Sequence, residues 1–246
     1  MSVPAPGLAA RAPDAAPGAS PDGASGEAGL ALRLRDVRIA IDGRVLLGPL
    51  AATIEPGQCL TVMGPSGCGK STLLAFVAGT IDPVFDASGS VAVGPRELDG
   101  LAPEQRRVGI LFQDDLLFPH LSVGANLAFA LPARGRRLDG DARAARRERI
   151  ERALADAGLQ GFADRDPATL SGGQRARVAV MRTLLAEPQA LLLDEPFGKL
   201  DAQLRDEFRR FVFGHAKAVG LPMLLVTHDE ADAQAASGPV IRIVGR

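Results

Sequence analysis

Residues 64–72 form the most informative segment of the chain and read Gly64-Pro65-Ser66-Gly67-Cys68-Gly69-Lys70-Ser71-Thr72. They match the pattern G-x-x-x-x-G-K-[ST], whose glycines let the backbone wrap so that N–H groups point at a phosphate. The helix expected over 71–78 adds the positive end of its dipole. Lys70 then supplies a point charge to the β- and γ-phosphates, and the Ser71 hydroxyl a ligand for Mg²⁺. The segment therefore predicts a nucleotide-binding loop.

Short apolar runs elsewhere in the chain predict an α/β protein. Residues 59–63 are largely apolar and lead straight into the loop, as expected of a buried strand. Residues 32–41 alternate between apolar and polar side chains, with a slip in phase at Arg35-Asp36, which predicts an antiparallel strand with a bulge. Further runs expected as central parallel strands cover residues 108–112, 191–193 and 223–226. Strands alternating with helices predict a layered α/β fold.

Two more motifs follow about a hundred residues after the loop. The first reads Leu170-Ser171-Gly172-Gly173-Gln174, and the second reads Ala190-Leu191-Leu192-Leu193-Asp194-Glu195-Pro196. In the first, Ser171 and two glycines precede a helix predicted over 174–186, which favours a second anion site at a helix N-terminus. In the second, an apolar strand ends in two carboxylates. These two side chains are expected to point in different directions, because side chains alternate along a strand.

In this order, the three motifs resemble those of the ATP-binding cassette (ABC) ATPases, the motors of membrane transporters. The resemblance covers roughly residues 30–246. It implies a P-loop NTPase fold of the ABC type, with an antiparallel β subdomain and an α-helical subdomain inserted at residues 114–170. It also implies a homodimer with ATP at the interface between the two copies.

The resemblance further implies a role for each motif residue. Residues 171–174 bind the γ-phosphate of the ATP held by the other protomer. Asp194 faces the Mg²⁺ ion, and Glu195 is the general base for the attacking water. Gln113 reaches Mg²⁺ or water at the junction with the helical subdomain, and His228 contacts the γ-phosphate. With Lys70, these residues make the expected catalytic set.

Three other positions bear on the nucleotide site. Asp201 corresponds to the family's loop across the dimer interface, where Gly198-Lys199 replaces the Ser-Ala that most relatives carry and adds a cation. Ile41 stands where the family stacks an aromatic ring on adenine. This predicts weakened adenine recognition, unless another aromatic residue such as Phe85 covers the base. Cys68 is interpreted as a small residue that fits the loop rather than as an oxidation sensor.

Residues 112–123 and 166–170 resemble the ATPases of bacterial importers that use a separate binding protein, such as those for thiamine, sulfate and polyamines. This implies transmembrane permease subunits as partners, contacted through residues 114–122, and a periplasmic solute-binding protein. The protein is then expected on the cytoplasmic side of the inner membrane, attached through its permease. An exporter ATPase and a soluble accessory ATPase, for example in iron–sulfur assembly, stay open as alternatives.

Length, charge and composition argue against several other classes of protein. A chain of 246 residues with a formal net charge of −1 can bury one core and presents no global field for nucleic acid. Its apolar stretch at 123–133 is far shorter than the roughly 20 residues of a membrane span, and no secretory leader is recognised. Cys59 and Cys68 are too few for a disulfide framework. Residues 1–29, rich in Ala, Pro, Gly and Ser, are expected to be a disordered tail, with a docking role left open.

An arginine-rich stretch between Arg134 and Arg152 allows two interpretations. It could bind nucleic acid, or it could be the solvated face of a helix whose apolar stripe comprises Ile150, Leu154 and Ala157. Acidic residues are interspersed, one of which pairs with Arg152 at i,i+4, and no aromatic residue is available for base stacking. We therefore expect a solvated helix face and no nucleic-acid partner.

Overall fold

The computed structural model describes residues 30–131, 140–198, 200 and 202–243. The predicted tail at 1–29 lies outside this range. The strands are β1 (Leu32–Ile41), β2 (Arg44–Ile54), β3 (Cys59–Met63), β4 (Phe85–Val93), β5 (Arg96–Glu97), β6 (Val108–Leu111), β7 (Ala190–Asp194), β8 (Met223–Thr227) and β9 (Val240–Arg242). The helices are α1 (Lys70–Ala78), α2 (Pro103–Arg106), α3 (Val123–Ala130), α4 (Gly140–Asp156), α5 (Gly172–Leu185), α6 (Ala202–Ala218) and α7 (Glu230–Ala236), with a 3₁₀ turn at Pro167–Thr169.

A parallel sheet with the strand order β6-β7-β8-β3-β9 forms the centre of the fold. Every residue of β3 and β8 is buried, which explains why their sequences are nearly continuous apolar runs. The sequence also predicted β6 as a central strand, and this is wrong. β6 lies at the edge of the described sheet, and three of its four residues are only half-buried because β7 is its one neighbour there.

Two apolar layers cover this sheet on opposite faces. Alternate residues of the central strands, such as Leu192 and Leu224, pack with α1 and the antiparallel sheet. Their neighbours, such as Leu193 and Leu225, pack with α5 and α6 on the other face. This alternation follows from the period of two along a strand. The predicted α/β fold is confirmed.

The antiparallel sheet has the strand order β2-β1-β4-β5. Register shifts occur between Leu34 and Val37 opposite β2, and between Arg35 and Arg38 opposite β4. Asp36, within this interval, has a φ of 50°. The bulge predicted at Arg35-Asp36 is therefore confirmed.

The described part of residues 114–170 contains α3, α4 and the 3₁₀ turn joined by irregular segments, with no strand among its described residues, while the subdomain and its boundaries stay a prediction. Leu154 and Ala157 are buried against α3 and α5, and Ile150 packs at the margin of this cluster. Arginines of α4 contact other parts of the fold: Arg146 donates to the Ala128 carbonyl at 2.8 Å, and Arg149 lies 2.7 Å from Glu187. The expected Glu148–Arg152 pair is present at 2.7 Å. Only Ala153 and Leu154 of α4 are buried, which supports the interpretation of α4 as a helix with a solvated face.

Within the ranges that the structure describes, no helix combines the length and apolar character needed to cross a membrane. Both cysteines are buried free thiols, as expected from the sequence. Burial raises the pKa of the Cys59 thiol to about 12, so this thiol stays protonated and unreactive near neutral pH.

Candidate active site

Most of the predicted functional side chains lie in loops at the carboxyl ends of the parallel strands. The phosphate loop follows β3, Asp194 ends β7 and Glu195 follows it, His228 follows β8, and Gln113 lies just beyond β6. These four strands are adjacent, and in an open parallel sheet ligands bind beyond the carboxyl ends of the strands. The fold therefore brings together residues that are far apart in sequence.

The phosphate loop is shaped by glycines with left-handed backbone conformations. Gly67 and Gly69 have φ values of 79° and 90°, and Gly69 caps α1. α1 begins at Lys70, one residue earlier than predicted. The buried Lys70 ammonium donates to the carbonyls of Gly64 at 2.9 Å and Pro65 at 3.0 Å. Because an ammonium has three donors, one remains to meet a phosphate oxygen.

Ser71 and Asp194 provide a hydroxyl and a carboxylate at hydrogen-bond distance. The Ser71 hydroxyl donates to Asp194 Oδ1 at 2.9 Å. Burial raises the pKa of the Asp194 carboxyl, the Ser71 hydrogen bond opposes this, and the charges of Glu195 and Lys70 raise and lower it respectively. An oxygen-only pair beside a phosphate loop suits Mg²⁺, which takes one or two carboxylates together with substrate phosphates. The residues present fit the predicted ion.

Glu195 and His228 form the second pair. His228 Nδ1 lies 3.2 Å from Glu195 Oε2, where the His228 side chain is 65% exposed and that of Glu195 is 28% exposed. Glu195 has a φ of 44°, a positive value that is uncommon for a residue other than glycine. Residues with such backbone conformations are found most often at functional sites. The carboxylate thus lies at the mouth of the cleft with a histidine beside it.

Gln113 joins the same group of side chains. It lines one cleft with Ser71, Asp194, Glu195 and Leu116. A methyl group built on Gly198 would lie 2.9 Å from Gln113 Nε2, so the amide packs directly over that glycine. The replacement of the family's Ser by Gly198, noted from the sequence, leaves the space that this amide occupies.

An adjoining cleft of about 500 Å³ extends from the phosphate loop to the antiparallel sheet. This volume lies within the range of small-molecule sites. Ile41, Leu46 and Phe85 line it together with Lys70 and Ser71. Ile41 and Phe85 are directly opposed on β1 and β4, which places both side chains on one face of the sheet. The sequence had not identified Leu46, although an apolar residue close to Ile41 in the β1–β2 hairpin was a usable signal.

The second motif forms a helix N-terminus, as predicted, although α5 starts at Gly172 rather than at Gln174. The Ser171 hydroxyl accepts from the Gln174 N–H at 3.3 Å, and the Gln174 side chain accepts from the Ser171 N–H at 2.9 Å. This reciprocal capping box leaves Ser171 exposed. Ser171 to Gln174 are absent from the linings of both clefts. The predicted interface residues Lys199 and Asp201 lie outside the described residues.

The segment after Gln113 was expected to present three apolar side chains. Leu116 is 56% exposed, but Leu117 packs into two core clusters and Phe118 is half-buried against Phe129. Phe112 and Phe129, at 45% and 69% exposure, are the other large apolar groups exposed near this segment. We call Phe112, Leu116 and Phe129 the exposed apolar surface. Phe129 could not be identified from the sequence, because α3 is apolar all round and its pattern does not show which side chains are exposed.

Arginines of α5 tie this segment to the second motif. Arg175, which directly follows Gln174, donates to Asp115 at 2.9 Å and to the Leu170 carbonyl at 2.8 Å. Arg182 donates to the carbonyls of Asp115 and Leu116. Asp115, the chain neighbour of Leu116, is therefore hydrogen-bonded to the start of α5 through Arg175, and the Leu116 carbonyl is bonded to Arg182 near the end of the same helix.

This fold and this set of loops define a nucleotide-binding ATPase of the cassette type. The sequence model described as ABC transporter matches residues 47–198. The chain belongs to the ABC transporter ATP-binding family, whose members hydrolyse ATP.

Among its relatives is the uncharacterized ABC transporter ATP-binding protein YnjD of Escherichia coli K12, 48% identical over 84% of this chain and 92% of YnjD. The Fe(3+) ions import ATP-binding protein FbpC 1 of Rhizobium meliloti is 44% identical over 78% of this chain, and the spermidine/putrescine import protein PotA of Pseudomonas aeruginosa 41% over 84%. The chain spans only 52% and 54% of these two import proteins. A solved structure titled as the dimeric bacterial ABC transporter cassette MJ0796 superimposes with a TM-score of 0.69 at 30% identity, covering 87% of this chain and 94% of that one.

Proposed function

We propose that this protein is the ATP-binding and ATP-hydrolysing subunit of a bacterial importer. The observation that carries the proposal is the meeting of Lys70, the Ser71–Asp194 pair and the Glu195–His228 pair at one sheet edge. A positive group, an oxygen pair and a carboxylate–histidine pair are the groups that phosphate binding and hydrolysis require. The import direction is supported by the names of the relatives FbpC 1 and PotA.

Each group has a distinct task in the proposed reaction. Lys70 and the N–H groups of the loop hold the β- and γ-phosphates of ATP. Ser71 and Asp194, assisted by Gln113, would hold Mg²⁺, which neutralises charge on the phosphate oxygens when bound. Glu195 accepts a proton from the attacking water, and His228 holds the γ-phosphate while contacting that carboxylate. Ile41, Leu46 and Phe85 contact the base.

A second group of phosphate-binding residues at each ATP comes from a second copy of the chain. Ser171, Gly172, Gly173 and Gln174 begin a helix, so their N–H groups and the helix dipole suit a phosphate. They are absent from the linings of the two clefts beside their own chain's phosphate loop, which supports a role at the partner's ATP. Asp201 is proposed to cross the same interface. The dimeric cassette among the structural neighbours supports this arrangement.

The permease is proposed to dock on residues 114–122, and the exposed apolar surface, which shares Leu116 with this segment, extends the proposed contact to Phe112 and Phe129. Phe112 and Leu116 line the same cleft and Phe129 packs on Phe118 of this segment, and exposed apolar groups arranged in this way are typical of an interaction site. The hydrogen bond from Arg175 at the start of α5 to Asp115, which precedes Leu116 in the chain, suits a transmission of dimer closure to the permease. The protein then lies on the cytoplasmic side of the inner membrane, held by permease subunits that receive solute from a periplasmic binding protein.

Glu195→Gln tests the hydrolytic assignment. It keeps the shape of the side chain and removes the base, so hydrolysis should slow by about 10² to 10⁴ while ATP binding is retained. With ATP, the purified variant should elute as a stable dimer in size-exclusion chromatography. Glu104→Gln, at an exposed position on α2, is the matched control and should hydrolyse normally. Unchanged turnover in Glu195→Gln would contradict the proposal.

A further inference from the structure

The turn that carries His228 is held by buried polar groups to which the proposed reaction assigns no task. Thr227, the last residue of β8, is 1% exposed. Its hydroxyl accepts a hydrogen bond from the Asp229 N–H at 3.0 Å and donates one to Asp232 Oδ2 at 2.7 Å. Since Thr227 and Asp229 are the chain neighbours of His228, the hydroxyl fixes the backbone on both sides of the histidine.

Asp232 connects this turn to α6. Its carboxylate is 3% exposed, and Asp232 Oδ1 accepts from Arg209 Nε at 2.7 Å. Arg209 is 6% exposed and also lies 3.2 Å from Asp229 Oδ2. Burial lowers the pKa of the Arg209 guanidinium, but the hydrogen bond and charge of Asp232 outweigh it and raise the pKa, so this group stays charged. A buried ion pair of this kind stays closed, because separating it leaves an uncompensated charge.

The His228 side chain itself is 65% exposed, so side-chain packing constrains it little. Its position over Glu195 therefore depends on the backbone of the turn. We infer that Thr227, with the Asp232–Arg209 pair behind it, is a positioning residue for ATP hydrolysis that keeps His228 Nδ1 within hydrogen-bond distance of Glu195. This inference rests on the proposed function, and in it the three residues hold His228 in the position that the hydrolytic step requires.

Thr227→Val and Thr227→Ser make the test, because valine keeps the shape of threonine without its hydroxyl, whereas serine keeps the hydroxyl and loses only the methyl group. In Thr227→Val the kcat for ATP hydrolysis should fall about 10- to 100-fold, the effect of a small misplacement of a catalytic group, with KM for ATP unchanged. Thr227→Ser should keep kcat near the wild-type value. Val212→Ala, buried on α6 in the same part of the core, controls for loss of stability and should leave kcat unchanged at a similar Tm loss.

The double variant Thr227→Val/His228→Ala separates positioning from general destabilisation. If Thr227 acts through His228, the double variant is no slower than His228→Ala alone. Normal kcat in Thr227→Val, equal losses in the valine and serine variants, or additive losses in the double variant would each overturn the inference. A His228→Ala variant that hydrolyses ATP at the wild-type rate would instead refute the role proposed for His228, and the inference with it.

Discussion

Recognition of the adenine base offers the sharpest test of the cleft, because the chain has Ile41 where an aromatic residue is expected. Phe85 faces the same cleft from the opposing strand. If its ring covers the base, Phe85→Leu removes the aromatic face but keeps an apolar side chain. A ring stacked on a base contributes about 1–3 kcal/mol. Phe85 is half-buried and packs against the core, so one face at most is available. We therefore expect about 1 to 1.4 kcal/mol, which corresponds to a roughly 5- to 10-fold weaker Kd for ATP.

The converse variant adds an aromatic residue. Ile41→Tyr should tighten ATP binding several-fold without changing the rate of the hydrolytic step, and it should restore affinity in the Phe85→Leu background. In the wild-type protein GTP should compete within roughly tenfold, because phosphate contacts are common to all nucleoside triphosphates and cannot discriminate between bases.

A ribose-labelled fluorescent ATP, which leaves the base unmodified, measures these dissociation constants by titration. Phe129→Leu, an identical change at an exposed site away from the cleft, is the control and should bind as the wild type does. An unchanged Kd in Phe85→Leu refutes the contact assigned to Phe85. If Ile41→Tyr also leaves Kd unchanged, the base does not lie against the face of the sheet that presents these two side chains.

Two further predictions address the assembly. Mixed dimers of Lys70→Ala and Ser171→Arg protomers should regain part of the ATPase activity that each parent lacks, because both defects fall on one composite site and leave the other intact. Verified heterodimers as inactive as their parents would argue against sites shared between protomers. Leu116→Glu and Phe129→Glu should each abolish sedimentation with membranes from cells that co-express the permease subunits, and Phe129→Glu, which lies outside the lining of the catalytic cleft, should spare basal ATPase activity. The control is Val219→Glu, at a valine that is 67% exposed beyond the end of α6, and this variant should sediment with the membranes normally. Normal sedimentation and transport by the Leu116 and Phe129 variants would place the docking surface elsewhere.

Some of this site could be derived without coordinates because its chemistry is local. The phosphate loop needs consecutive residues, a strand before it and a helix after it, and all of these are visible between residues 59 and 78. The cap at Ser171 is local in the same way, since its partner Gln174 is three residues away. The fold class followed from the alternation of apolar runs, although the place of β6 at the sheet edge did not, because strand order is a property of tertiary contacts.

Only the tertiary structure could bring the remaining groups together. Ser71 and Asp194 are 123 residues apart in sequence and meet because β3 and β7 both lie beside β8 in the parallel sheet. His228 meets Glu195 because β7 and β8, which precede them, are neighbouring strands. The register of β1 and β4 places Phe85 opposite Ile41, and no local pattern predicts a register between strands so far apart. Likewise the buried Arg209–Asp232 pair reads in sequence as two ordinary surface charges. Its burial arises where α6 packs against α7, a contact that exists only once the chain has folded.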